Sequence, residues 1–277
     1  MRFLPASTDL YYSYQDMIWN RENGLLLIAG PCLIESWDLC ARVAETVSKV
    51  AEEHGLQLIF KGSYRKANRT SGKSMRGIGD QESLEILGRI KSEFGLKVTS
   101  DVHETKEVGA AAEVCDLLQI PAFLCRQTDL IEAAARTGCA INIKKGQFLA
   151  PEDMGPVAQK AKAAGAREIF LTERGTTFGY RDLVVDFRSV HIMNNLGYPV
   201  IFDATHSVQS PGAMDGESGG NRAFLPGLLR AALGCGVEGI FLETHPDPPN
   251  AASDKLTQWP LGQLETLFED LSQRGLL

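Results

Sequence analysis

The chain has 277 residues, 44% of them hydrophobic, which is enough to bury a large core in one barrel-sized domain or two smaller ones. Its 28 basic and 35 acidic residues give a net charge of -7, which argues against a general nucleic-acid or anionic-membrane surface. Any positive site must therefore be local.

Residues 1–24 are polar and aromatic and read as an extension or cap on a single domain spanning 1–277; they lack the basic start and apolar stretch of a leader. Short apolar runs then alternate with longer helical patterns. Strands are expected at 25–31, 56–62, 97–103, 117–121, 141–146, 168–175, 199–206 and 239–246. Helices are expected at 37–54, 80–94, 105–114, 128–136, 151–164, 183–195, 222–235 and 261–274, several closed by glycine, as at Gly55, Gly95, Gly138, Gly165 and Gly197. Eight strand–helix units without a Pro/Gly/Ser-rich linker predict the α/β class and a (β/α)8 TIM barrel. An open doubly wound sheet would instead gather ligand groups at one switch point behind a Gly-rich dinucleotide loop, and neither pattern occurs in the sequence. No apolar run approaches the roughly 20 residues that span a bilayer. The six cysteines, at 32, 40, 115, 125, 139 and 235, form no CxxC pair, so a reduced, cytoplasmic protein is expected.

In such a barrel every strand would end at one mouth, and here nearly every strand ends in polar, reactive side chains. Cys32 and Glu35 follow the first strand, and KGSYRKANRTSG, residues 61–72, follows the second. Asp101 and His103 end the third, Arg126 follows the fourth, and Lys144 and Gln147 close the fifth. Glu173 and Arg174, Asp203 and His206, and Glu243 and His245 close the last three. Lys61, Lys66, Arg69, Arg126, Lys144 and Arg174 would then place more positive charge at the mouth of an acidic protein than a neutral substrate needs. Two anionic groups, phosphates above all, match that number of cations. Ser63, Asn68, Thr70 and Ser71 add neutral donors that a merely solvated loop does not require.

A second set joins Cys32, His206, Glu243 and Asp254. Barrel closure makes the first, seventh and eighth strands neighbours, and Asp254 arrives on the loop after the eighth. One thiolate, one imidazole and two carboxylates suit a divalent transition metal. Read from the residues alone, Cys32 as a small buried residue and His206 as a strand cap fit equally well. His103 and His245 are placed to hydrogen-bond substrate or ligands, while His54 and His191 fall in helices and read as structural. A phosphosugar-binding barrel without catalysis would explain the basic residues but not this set.

Eight motifs carry a family resemblance: GPCLIES at 30–36, KGSYRKANRTS at 61–71, SDVHE at 100–104, LQIPAFLCRQTDL at 118–130, NIKKGQFLAP at 142–151, LTERG at 171–175, FDATHSVQ at 202–209 and ETHPDP at 243–248. In this order, from the first strand to about Pro260, they resemble 3-deoxy-D-manno-octulosonate 8-phosphate synthases of the metal-dependent branch. The resemblance implies a transferase of lipopolysaccharide biosynthesis that joins phosphoenolpyruvate, D-arabinose 5-phosphate and water. Its products would be the eight-carbon sugar acid phosphate and inorganic phosphate. The sister synthase, which uses erythrose 4-phosphate, typically has Lys-Pro-Arg-Thr/Ser where this chain has Lys66-Ala67-Asn68-Arg69.

Carried over by position, Lys61, Lys144, Gln147 and Arg174 would hold phosphoenolpyruvate, with Lys66 nearby. Asn68 and Arg69, helped by Ser71, would hold arabinose 5-phosphate, and Ser63 counts among the substrate-binding residues. Ala122 and Arg126 belong to a segment that reaches a neighbouring subunit's sugar phosphate in a homotetramer. Lys61, Lys66, Asn68, His206 and Asp254 would be the catalytic group, and Cys32, His206, Glu243 and Asp254 the ligands of Fe, Mn, Co or Zn, with no organic cofactor, nucleic acid or membrane partner. Metal-independent members carry Asn at the Cys32 position. One departure stands out: Tyr64-Arg65 replaces a common Phe-Asp, which puts a base beside the substrate loop.

Overall fold

The structure is a computed structural model and describes residues 17–67, 77–178, 182–214 and 217–277. Eight parallel strands close on themselves: β1 (Leu26–Gly30), β2 (Gln57–Lys61), β3 (Lys97–Asp101), β4 (Leu117–Ile120), β5 (Ala140–Lys144), β6 (Ile169–Glu173), β7 (Val200–Asp203) and β8 (Gly239–His245). Leu26 of β1 pairs with Gln57 of β2 on one side and Gly239 of β8 on the other, so no sheet edge remains. The helices are α1 (Trp37–Glu53), α2 (Asp80–Phe94), α3 (Val108–Val114), α4 (Thr128–Ala135), α5 (Met154–Ala163), α6 (Arg188–Asn194), α7 (Leu225–Gly234) and α8 (Leu264–Gln273). The expected (β/α)8 barrel is therefore formed.

Strands buried on both faces must sort their residues by period two. Outward residues such as Leu27, Phe60, Val98, Leu118, Ile141, Leu171, Phe202 and Leu242 join the core beneath the helices. Inward residues change character along the barrel. Leu26, Ile28, Ile59, Leu117, Ala140, Phe170, Ile201 and Phe241 form a separate apolar cluster inside. Lys61, Asp101, Gln119, Asn142, Lys144, Thr172, Asp203 and Glu243, all buried, follow toward the carboxyl ends. Gly30 is required by packing here, because a Cβ on it would lie 1.9 Å from the Lys61 carbonyl oxygen.

The amino end of the barrel is plugged. Ile18 and Trp19 join the inner apolar cluster, and the Trp19 ring meets Phe170 edge-on at 6.1 Å. Residues 1–16 of the expected extension lie outside the described residues.

Two expectations need correction. The helix expected at 183–195 begins only at Arg188: Leu183–Val184 is a short strand paired with Thr176–Thr177, and the Asp186 carboxylate accepts the Arg188 amide. The β-branched pair Val184-Val185 favours extended backbone, and Asp186 supplies the start signal two residues before the helix. The second concerns the helices expected from 105, 151, 222 and 261, which open with a 3-10 turn before the α-helix begins. An unanticipated hairpin, Gln209–Met214 with Glu217–Gly220, follows β7. Among the described residues no helix is long and apolar enough to cross a membrane.

Candidate active site

The carboxyl ends of the strands carry two adjoining groups of buried side chains. The first lies between β1, β8 and the loop after β8. Cys32 Sγ is 2.9 Å from Asp254 Oδ2, and ligand atoms of Cys32, Glu243 and Asp254 lie within 4.8 Å of one another. His206 stands beside this trio, its Nε2 3.7 Å from Glu243 Oε1. Its Nδ1 meets Asp203 Oδ2 at 2.8 Å, so Nε2 is the ring nitrogen turned toward Glu243. Asp254 has φ of 48°, an uncommon left-handed backbone for a side chain of any size. It is held there by Gln209 Nε2, which donates to Oδ1 at 2.7 Å, and by amides of Thr257 and Gln258 on its carbonyl. The Cys32 amide donates to Gln258 Oε1 at 3.1 Å, so the first strand's loop and the last are fastened together.

The second group is cationic. Lys61 Nζ donates to Glu243 Oε1 at 2.6 Å and to the Cys32 carbonyl at 3.0 Å. Lys144 Nζ donates to Asp203 Oδ2 at 2.8 Å and sits 3.5 Å above the Phe241 ring. Arg174 gives one nitrogen to Gln209 Oε1 at 2.8 Å. Lys66 donates to Ser63 Oγ, which donates to Asp101 Oδ2.

Burial and charge act in opposite directions on these groups. Burial would push the carboxyls up, but Lys61 and then His206 hold Glu243 well below the usual carboxylate range. His206 and Lys144 do the same for Asp203, and Lys61 and Lys66 for Asp101. Burial, reinforced by the Asp254 and Glu243 charges, raises the Cys32 thiol well above its usual value. A cation beside Cys32 would reverse that balance, because it favours the thiolate that binds it.

Several buried atoms here have no hydrogen-bond partner: Glu243 Oε2, Arg174 Nε and Nη1, and Gln147 Oε1. Orphaned polar atoms are costly in a folded interior, and an oxygen among acids beside a thiol needs a cation. The mixed sulfur, nitrogen and oxygen donors suit a divalent transition metal, so the residues fit one. The free donors of Arg174 face the opposite requirement, an anion.

The site residues expected from the sequence are distributed as follows. Lys61, Ser63, Lys66, Lys144, Gln147 and Arg174 surround the mouth with Cys32, His206, Glu243 and Asp254; Asn68, Arg69 and Ser71 lie outside the described residues. Ala122 is buried in the turn after β4, while Arg126 is exposed further along the same loop. His245 Nδ1 accepts the Asp247 amide at 2.9 Å, while its buried Nε2 lies 3.5 Å from Glu35 without a hydrogen bond. Sequence reasoning missed a polar ladder across the barrel, in which Thr172 donates to Asn142, Asn142 to Gln119 and Gln119 to Asp101, at 2.6 to 2.9 Å. The signal was there at Gln119 and Asn142, each a single polar residue between apolar neighbours of its strand.

A model described as the DAHP synthetase I family matches residues 9–275. Three curated relatives each bear the name 2-dehydro-3-deoxyphosphooctonate aldolase. The protein of Nitratidesulfovibrio vulgaris (strain DP4) is 53% identical over 89% of this chain and 90% of its own length. That of Acidithiobacillus ferrooxidans (strain ATCC 53993 / BNL-5-31) is 53% identical over 90% and 89%, and that of Magnetococcus marinus 54% over 89% and 86%.

Proposed function

The chain belongs to the DAHP synthetase I family, and we propose that it condenses phosphoenolpyruvate with D-arabinose 5-phosphate and water to give 3-deoxy-D-manno-octulosonate 8-phosphate and inorganic phosphate. The observation that carries this reading is the pairing, at one barrel mouth, of unspent guanidinium donors on Arg174 with an unspent carboxylate oxygen on Glu243. An anionic substrate answers the first and a divalent cation the second. Relatives named for the phosphooctonate product favour the eight-carbon over the seven-carbon sugar acid.

In this reading Lys61, Lys144, Gln147 and Arg174 hold the carboxylate and phosphate of phosphoenolpyruvate. Its enol carbon is a weak nucleophile, so orientation against the aldehyde supplies much of the rate. Lys144 and His206 share Asp203 and are thereby locked in place, and the Phe241 ring closes the floor beneath them. Asn68 and Arg69 are assigned to the arabinose phosphate with Ser63 and Ser71, and Lys66 lies between the two substrates. Cys32, His206, Glu243 and Asp254 would hold Fe, Mn, Co or Zn. Such an ion supplies Lewis acidity, for the aldehyde oxygen or for water. Lys61 and Lys66 stabilise negative charge that develops on the aldehyde oxygen as the carbon–carbon bond forms.

We further propose a cytoplasmic homotetramer. Five of the six free cysteines are buried or half-buried, consistent with a reducing compartment, and Phe123, 57% exposed, stands with Arg126 on a rim that a neighbouring subunit would cover.

The test is release of inorganic phosphate from phosphoenolpyruvate with arabinose 5-phosphate and erythrose 4-phosphate in competition, before and after chelation and metal return. Faster turnover of erythrose 4-phosphate would move the chain to the sister activity. Phosphoenolpyruvate labelled with heavy oxygen at the bridge should deliver the label to inorganic phosphate, because water attacks carbon. Label retained in the sugar would exclude that route.

A further inference from the structure

The segment leaving β2 returns at α2, and its two described legs are tied to each other and to the turn after β3. Tyr64 is 2% exposed. Its hydroxyl donates to Glu107 Oε2 at 2.5 Å, its amide to Ser100 Oγ at 3.1 Å, and its ring meets His103 edge-on. Arg65 spans both legs: Nη1 pairs with Asp80 Oδ2 at 3.2 Å, at the first residue of α2, while Nη2 pairs with Glu107 Oε1. On the returning leg Gly77 has φ of 143°, and a Cβ on it would stand 2.8 Å from the Tyr64 carbonyl oxygen. The legs therefore touch through backbone, which only glycine permits. The next side chain, Lys66, is bonded to Ser63 at the mouth instead.

We propose that Tyr64, Arg65, Asp80 and Glu107 form a clasp that positions Lys66 and sets the affinity for the phosphorylated aldose. This rests on the function proposed above. None of the four touches substrate; they are positioning residues. Lys61, Lys144 and Arg174 sit on or directly after barrel strands and keep their places without the clasp. Lys66 has no strand beneath it, and its backbone is anchored by the preceding residue. The basic residue at position 65 is thus spent on two acids rather than presented to an anionic ligand, and so it does not change the charge that the substrate meets.

The experiment is steady-state kinetics of the metal-loaded full chain, with tryptic cleavage after Lys66 under native conditions as an activity-independent readout. Arg65→Ala and Glu107→Gln should each raise the KM for arabinose 5-phosphate roughly tenfold, as expected for loss of a charge-assisted tether. Both should also lower kcat several-fold, because Lys66 serves the chemical step as well, and leave the phosphoenolpyruvate KM within about twofold. The double variant should be no worse than either single one, because the two residues act as one unit. Arg65→Lys, which keeps one pairing, should recover part of the affinity. Cleavage should accelerate in Arg65→Ala. Unchanged aldose KM with unchanged cleavage, a fall in kcat alone, or additive effects would overturn the clasp. A wild-type chain that releases no phosphate from the substrate pair would instead sink the functional reading, and cleavage would still test the clasp.

Discussion

The two ends of the barrel make use of the same residue types in opposite ways. At the amino end, polar side chains at the strand starts are spent on the plug: Gln57 bonds the backbone of Asn20 and Gly24, Lys97 the carbonyl of Ile18, and Glu168 the amide of Ile18. At the carboxyl end, Arg174, Gln147 and Glu243 keep buried atoms without partners. Cations decide the charge states. Burial pushes Glu168 up despite the amides of Ile18 and Trp19 and the charge of Lys97, whereas Glu243 and Asp203, ringed by Lys61, Lys144 and His206, are held down. One Glu168 oxygen is also unpartnered, so a lone orphan does not mark a site. Several orphans of opposite sign facing one opening do.

The largest expected effect breaks the carboxyl end alone. Cys32→Ala should lose the bound metal by elemental analysis and lower turnover on the order of 10³-fold, since a Lewis acid contributes several kcal/mol. Compared with metal-stripped wild type, its melting temperature should move by less than about 3 °C, because little packing is lost. Metal-free protein with full activity would return Cys32 to the role of a small buried residue. Cys32→Asn is expected to keep a low, chelator-insensitive activity.

Trp19→Ala tests the other end. Removing the plug should cost about 3 to 5 kcal/mol by denaturant unfolding, while kcat and both KM values at 25 °C stay near wild type. A large loss of turnover in folded protein would show that the two ends are not independent.

Arg174→Lys keeps the charge and removes the fork. The KM for phosphoenolpyruvate should rise between about 10-fold and 100-fold, with the aldose KM much less affected. An unaltered value would mean that the free guanidinium nitrogens do not meet this substrate.

The smallest effects are in pH dependence, and they have opposite signs at the two ends. Asp101 has a depressed folded pKa, so its contribution is complete above the unfolded value of about 4 and is lost as pH falls below it. Asp101→Asn should flatten the acid limb of the melting-temperature profile. Glu168 has a raised folded pKa, so its cost is absent below the unfolded value and grows as pH rises through the folded one. Glu168→Gln should remove that decline. Identical profiles for both variants and wild type would refute the contrast.

Much of the barrel was legible in the chain. Apolar runs at regular spacing, closed by glycine and separated by amphipathic stretches, are local signals, and all eight strands lie within the expected ranges or one residue outside them. The strand-end residues were legible for the same reason: once eight strands are parallel, their carboxyl ends must share one mouth. The helix start at Arg188 was not, because the extended preference of Val184-Val185 is realised only against a partner strand. Nor was the plug, since nothing local distinguishes Trp19 from a surface aromatic.

What the sequence determined by itself is the alternation of elements, the types of residue brought to the mouth and, through its motifs, the family. Only the tertiary structure decided which of those residues are spent and which are left over. Arg65 and Arg174 look alike as strand-end arginines, yet one is paired with two acids and leaves only its buried Nε over, while the other keeps both Nε and Nη1 free. Glu35 and Glu243 both follow apolar strand runs, but Glu35 accepts the Ala252 amide and braces a loop while Glu243 retains an open oxygen. Hydrogen-bond satisfaction depends on partners hundreds of residues away in sequence, fixed only when the sheet closes and the last loop folds back over the first.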